Sequence, residues 1–304
     1  MRSILAFVLL WTYAALLPSS FAQDLDVTEI VAAKQAFSAQ ANEDTRAALF
    51  DALAAYDGDA TVESVNAYMA LLLHDATGDS IEDMYQSATA ATAHFEPVSD
   101  ILPKHYLEAR FMAAVGLFNV EHAPEAMEEM AHVRGRAYRI HDATGERPDW
   151  ATSLRWKSDA WVLAMRAYFE SVDEAHPSEN DIEAILATYD ADTFAINARS
   201  RSADAERGLP LCPGKLVQRP KLSHPADVIN RGRFGAVILS LELDDDGNVV
   251  APEVLASVPG NYFDKKSLRV VKRWKFRAHD QDAAGTACRL NRKNLVLPII
   301  FQLG

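Results

Sequence analysis

The hydrophobic period of this chain changes once, near residue 207, and that change limits most of what it can fold into. Before it, apolar residues recur every three or four positions, as on one face of an α-helix. After it they alternate, as in a strand with one buried face. The expected fold class is therefore α+β. An all-helical array of antiparallel helix pairs comes first, then a small α+β domain. The expected bounds are a signal peptide over 1–22, a helical domain over 23–207 and the α+β domain over 208–304.

In the first part Ala47, Phe50, Leu53 and Ala54 share a helix face, and Val65, Tyr68, Met69 and Leu72 share the next. Asp79-Ser80-Ile81-Glu82 reads as an N-cap with an acidic first turn. A helix is expected to end at Gly145 and another to begin near Pro148-Asp149. Trp150, Leu154, Trp161, Met165 and Tyr168 then form an apolar stripe, which reads as core. His74-Asp75-Ala76-Thr77-Gly78 recurs as His141-Asp142-Ala143-Thr144-Gly145, 67 positions later. That offset is close to twice the ~34-residue tetratricopeptide period. It suggests tetratricopeptide-like helix pairs, although the signature residues of that repeat are not cleanly present.

In the second part Pro210, Pro213, Pro220 and Pro225 lie in an extended lead-in. Val237, Leu239, Leu241 and Leu243 alternate with Ser240 and Glu242 in a half-buried strand. Asp244-Asp245-Asp246-Gly247-Asn248 signals a hairpin, and Val249–Ser257 is the return strand, with Pro252 at an edge or bulge. Asp264 is placed to cap a helix running to about Trp274. Leu295, Leu297, Ile299, Phe301 and Leu303 alternate in a last strand. The order is strand, hairpin, strand, helix, strand, with the helix on one sheet face.

Several of these residues, with their order and C-terminal position, resemble the C-terminal domain of the TonB energy transducers. They are His224-Pro225, Gly235-Ala236-Val237, the 244–249 turn, and Val258-Pro259-Gly260-Asn261-Tyr262-Phe263-Asp264. Trp274-Lys275-Phe276 and Leu297-Pro298-Ile299-Ile300-Phe301 complete the set, so the resemblance covers about Lys215–Gly304. The chain departs from the family at His224, where Tyr is usual, and at Ala278, where Pro is usual. The resemblance implies a periplasmic, non-enzymatic domain that grips an extended segment of an outer-membrane receptor. The grip it implies is strand addition along Leu295, Val296, Leu297, Pro298, Ile299, Ile300 and Phe301. A sheet edge offers unpaired N–H and C=O groups for that purpose. Energy transducers also carry an anchor with polar residues and a long Pro-rich spacer. Here a helical array stands in the spacer's place, so a protein-binding adaptor for envelope proteins is expected rather than a transmitter of force.

Residues 1–22 show one cation, Arg2, then an apolar run of 14 residues from Ile4 to Leu17, then Pro18 and a small-residue Ser20-Phe21-Ala22. This is a secretory signal pattern, short of the ~20 residues of a spanning helix. Cleavage after Ala22 gives a periplasmic chain with no transmembrane helix. The alternative is a retained anchor over residues 4–22, which makes the chain a membrane-anchored transducer component. Export allows a bridge between Cys212 and Cys288, the two cysteines of the chain; two free thiols are the other reading.

Over the whole chain the net charge is −13. Residues 23–207 hold 34 acidic and 14 basic side chains, and residues 208–304 hold 9 acidic and 15 basic. The total therefore averages an acidic arm with a basic module, and the two halves are candidates for docking on each other. Lys265, Lys266, Arg269, Lys272 and Arg273 fall at helical spacing and form a basic face, suited to an acidic partner, to lipid headgroups or to plain solvation. No nucleic-acid partner is expected. Neither a Gly-x-Ser-x-Gly, a His-Glu-x-x-His, a phosphate loop nor a dinucleotide fingerprint is present, so no catalytic residue and no cofactor are assigned. Glu129-Met130-Ala131-His132 has di-iron spacing but no second copy, and Asp244–Asp246 lacks the later ligands of a calcium loop, so no metal is expected.

Overall fold

The computed structural model describes residues 27–189, 211–212, 214–220, 234–277 and 288–302. Residues 1–22, expected to be a signal peptide, lie outside them, as do His224-Pro225, Ala278, Leu303, most of the Pro-rich lead-in and the expected 207/208 boundary. The chain divides into two compact units, 1–121 and 122–304.

In the first unit α1 spans Thr28–Ala39, α2 Glu43–Ala54, α3 Val62–Asp75, α4 Ile81–Phe95 and α5 Pro103–Glu121. A single 3-10 turn, Glu96–Val98, follows α4. Local chemistry sets the starts. Asn42 accepts from the Thr45 N–H at 3.0 Å while the Asn42 N–H donates back to the Thr45 hydroxyl at 3.1 Å. Thr61 and Ser64 repeat that reciprocal pair, and Ser80 caps α4 through the Asp83 N–H. Each helix packs on its neighbour in the chain, so the unit is a stacked helical array. The tightest approach is α4 on α5, where Gly116 leaves no room for a Cβ beside Tyr85.

The buried face of α2 is Arg46, Leu49 and Leu53; Ala47 and Ala54, expected inside, are exposed. Arg46 is bidentate on Asp75, Nε to Oδ1 and a terminal nitrogen to Oδ2, both at 2.9 Å. The Ser87 hydroxyl donates to the same carboxylate at 2.6 Å. Burial alone would lower the Arg46 pKa, but the hydrogen bond and charge of Asp75 outweigh it and the pKa is raised.

The two copies of the five-residue repeat stand in different settings. In the first, α3 runs through the buried Asp75. In the second, the helix ends at Arg139, not at Gly145, and the exposed Asp142 folds a turn by accepting from the Thr144 and Glu146 N–H groups. The helix stop is earlier because these side-chain bonds compete with the helix for backbone donors.

In the second unit α6 spans Glu125–Arg139, α7 Asp149–Val172 and α8 Glu179–Ala187, with α6 packed on both others. Then come β1 (Leu211–Cys212), β2 (Lys215–Gln218), β3 (Gly235–Leu243), β4 (Val249–Val258), α9 (Asp264–Val271), β5 (Lys275–Arg277), β6 (Arg289–Leu290) and β7 (Leu295–Phe301). The central sheet has the order β4-β3-β7, all antiparallel; β1 pairs with β6 and β2 with β5. Asp264 is the first residue of α9, while the N-cap position is Phe263, which makes no side-chain cap.

One sheet face carries the expected core: Val237, Leu239, Leu241, Ile299 and Phe301 close on Phe263, Val271 and Trp274. The other face is more buried than strand alternation predicts. Ala236 and Ile238 are 0 % exposed, and Ala256 and Val258 nearly so. Helix α7 lies against β3, β4 and β7, so the sheet is layered between α9 and α7. Tyr168 of α7 meets the Phe234 ring at 5.2 Å just before β3.

Candidate protein-binding edge

Two strands bound the central sheet, β4 and β7, and they differ as templates. The β3–β4 ladder shifts register twice, between Ile238 and Leu239 and between Glu242 and Leu243. Such irregularities twist an edge and spoil a continuous row of donors and acceptors. By contrast β7 pairs with β3 through seven consecutive residues with no shift, from Leu241↔Leu295 to Gly235↔Phe301. Among the described residues β7 has no strand on its other side. Its outer row of backbone groups is a candidate template for an extended peptide, with one donor missing at Pro298.

The side chains hold that edge in place. Leu295, Ile299 and Phe301 are buried, and Phe301 stacks on Phe263 with ring centroids 4.2 Å apart. Val296, Leu297 and Pro298 are half-buried, and Ile300 is 40 % exposed. Pro298 stands opposite Ile238 and supplies no N–H.

Of the five cations expected on one helix face, Lys265, Lys266 and Arg269 lie on α9, whereas Lys272 and Arg273 follow its end at Val271, short of the Trp274 expected. Lys265, Arg269, Lys272 and Arg273 are exposed and Lys266 is half-buried, while Val270, Val271 and Trp274 point into the core. None of the five cations makes an ion pair with a described residue. Arg219 lies over the Trp274 ring at 5.7 Å, next to this face.

Cys212 and Cys288 form a disulfide, with Cα atoms 5.7 Å apart. It joins the ends of β1 and β6, and the Asn291 N–H donates to the Cys212 carbonyl at 3.0 Å. Of the three aspartates, Asp245 pairs with Arg292, while Asp244 shapes the turn: its Oδ1 accepts from the Asp246 and Asn248 N–H groups at 3.0 and 2.8 Å. Those bonds, the Asn248 side chain first, hold the Asp244 carboxyl below its usual pKa. His132 shares a 3.0 Å hydrogen bond with the Tyr189 hydroxyl. Among the described residues no group of three metal-ligating side chains converges.

The chain matches the family model of the Gram-negative bacterial TonB protein C-terminal over residues 220–301. That segment is a TonB C-terminal domain. It is 24% identical over 90 residues to Protein TonB of Yersinia enterocolitica, covering 30% of this chain and 31% of that protein. It is 30% identical over 95 residues to Protein TonB of Vibrio cholerae serotype O1, covering 29% of this chain and 37% of that protein. The chain spans about a third of the length of these curated relatives. The TonB-like segment contains the β4-β3-β7 sheet, α9 and the open β7 edge, whereas α6–α8, which share its compact unit, lie outside the match.

The last strand and the cysteine pair expected from the sequence are present. The cover that α7 places on the sheet is not among those expectations. The signal for it was there: Ala236 and Ile238 stand at polar-face positions of β3 and are both apolar.

Proposed function

We propose that this protein is a non-enzymatic binding module of the cell envelope, acting on the periplasmic side. In this reading its TonB C-terminal domain captures an extended segment of an envelope protein, such as an outer-membrane receptor, as an added strand on β7. The unbroken seven-residue ladder between β3 and β7, with no described strand beyond β7, is the observation that carries the reading. Because α9 and α7 cover the two faces, the backbone edge is the part of this sheet left for recognition. The α1–α5 array then serves as a separate arm for a further partner, and the basic α9 face adds charge-based steering toward acidic segments.

Amide hydrogen exchange tests the reading. Adding a receptor-derived extended peptide to the full chain should slow exchange at residues 295–301. Protection confined to other strands would contradict strand addition at β7. Chemical sequencing of the mature N-terminus decides how the module is deployed: a start at Gln23 makes it a free adaptor, and retention of residues 4–22 makes it an anchored component.

A further inference from the structure

A cavity of about 730 Å³ opens in the first unit. It lies between the end of α2, the following loop, α3 and α4. Leu53, Val98 and Tyr68 are buried at its base, and Ile101, 48 % exposed, stands at its mouth. Three rings follow one another along the wall. Tyr56 and His94 have centroids 5.9 Å apart, and His94 and Tyr68 are 5.1 Å apart.

The charge of this lining has one sign. Asp57 and Asp59 belong to it, and no lysine or arginine does. Neither aspartate side chain has a hydrogen bond or ion pair in the described structure. The bond that Asp59 does accept goes to its backbone carbonyl, from the Tyr56 hydroxyl at 2.9 Å. The His94 ring adds no fixed positive charge, because its Nε2 shares a 2.8 Å hydrogen bond with the Ser64 hydroxyl and burial disfavours its protonation. The wider field has the same sign: residues 23–121 hold 17 acidic and 4 basic side chains.

Each part selects against the alternatives. An anion meets two uncompensated carboxylates. A bare metal ion finds no third ligand group among the described residues. A neutral apolar group gains from the rings but nothing from the aspartates. A cation on an apolar stem uses both, since ring faces attract cations and the carboxylates add charge pairing at the rim. We propose that this cavity binds a primary ammonium or guanidinium group carried on an apolar stem. Its source is a lysine or arginine side chain of a protein segment or a free aliphatic amine.

Titration of the full chain tests the assignment with three probes: glycyl-lysyl-glycine amide, its norleucine analogue and 1,5-diaminopentane. Tyrosine fluorescence and the His94 ring resonances report occupancy. The lysine peptide should bind roughly tenfold or more tightly than the norleucine peptide. The Asp57→Asn/Asp59→Asn double variant should lose about that factor with an unchanged melting temperature, since both side chains are exposed and unpaired. Tyr56→Leu should lose several-fold, and about 0.5 M salt should weaken binding in the native chain. Equal binding of diaminopentane and the lysine peptide identifies a free amine as a ligand; binding of the peptide alone identifies a protein segment. Norleucine binding as tight as lysine, no response to any probe, or unchanged affinity in the double variant would overturn the proposal.

Discussion

Gly247 and Phe276 meet backbone to backbone: the Phe276 N–H donates to the Gly247 carbonyl at 2.8 Å, and the Phe276 carbonyl oxygen occupies the space a Gly247 Cβ would need. Gly247 also holds φ +79°, a left-handed conformation that side chains disfavour. The β3–β4 hairpin is thereby pinned against β5. Gly247→Ala should cost about 2 kcal/mol or more, from the turn conformation and the clash together. Urea denaturation of the variant measures it, and an effect below about 0.5 kcal/mol would mean the contact relaxes freely.

Arg46 and Asp75 should behave as a coupled buried pair. Asp75→Ala leaves the Arg46 guanidinium with Asp83, 3.3 Å away, as its carboxylate partner, and should cost at most about 3–5 kcal/mol. The double variant Arg46→Met/Asp75→Leu should cost clearly less than the two single changes summed. A double-mutant cycle by thermal or chemical unfolding checks this.

Reduction of the Cys212–Cys288 bond releases a loop of 76 residues. The chain-entropy account puts its contribution at about 4 kcal/mol. Dithiothreitol should therefore lower the melting temperature of the second unit, and the Cys212→Ser/Cys288→Ser variant should match the reduced protein in being insensitive to the reagent.

Burial lowers the pKa of His94, and likewise of His105, where Lys104 adds to the effect. The unfolded chain, with histidines near about 6.5, then binds protons that the folded chain does not. Stability should be full above that value and fall as the pH drops through it. Melting curves between about pH 5 and 8 test the sign, and His94→Gln/His105→Gln should flatten the slope.

Much of the C-terminal architecture was legible because it is local. Val237, Leu239, Leu241 and Leu243 alternate, and the Asp-Gly turn follows them directly. Pairing across long separations was not. Nothing in the periodicity of α2 marks Arg46 as buried, since its partner Asp75 lies a whole helix away. The expected half-buried strand missed the second cover for a similar reason, as α7 reaches β3 from about 70 positions earlier in the chain. The helix end expected at Gly145 moved to Arg139 because Asp142 satisfies the backbone donors locally. For the edge site, Leu295–Phe301 was readable as a strand, but its unbroken register and unpaired side required the ladder itself.

Site-specific photo-crosslinking in living cells tests the strand-addition account most directly. A photoreactive residue replaces Ile300 on the outer part of β7, and a control replaces Leu73, which is 69 % exposed on α3. The account predicts adducts from position 300 whose digests map to an extended segment of an envelope protein, with none of these from position 73. Adducts of that protein at position 73 alone, or no adduct at position 300, would contradict it.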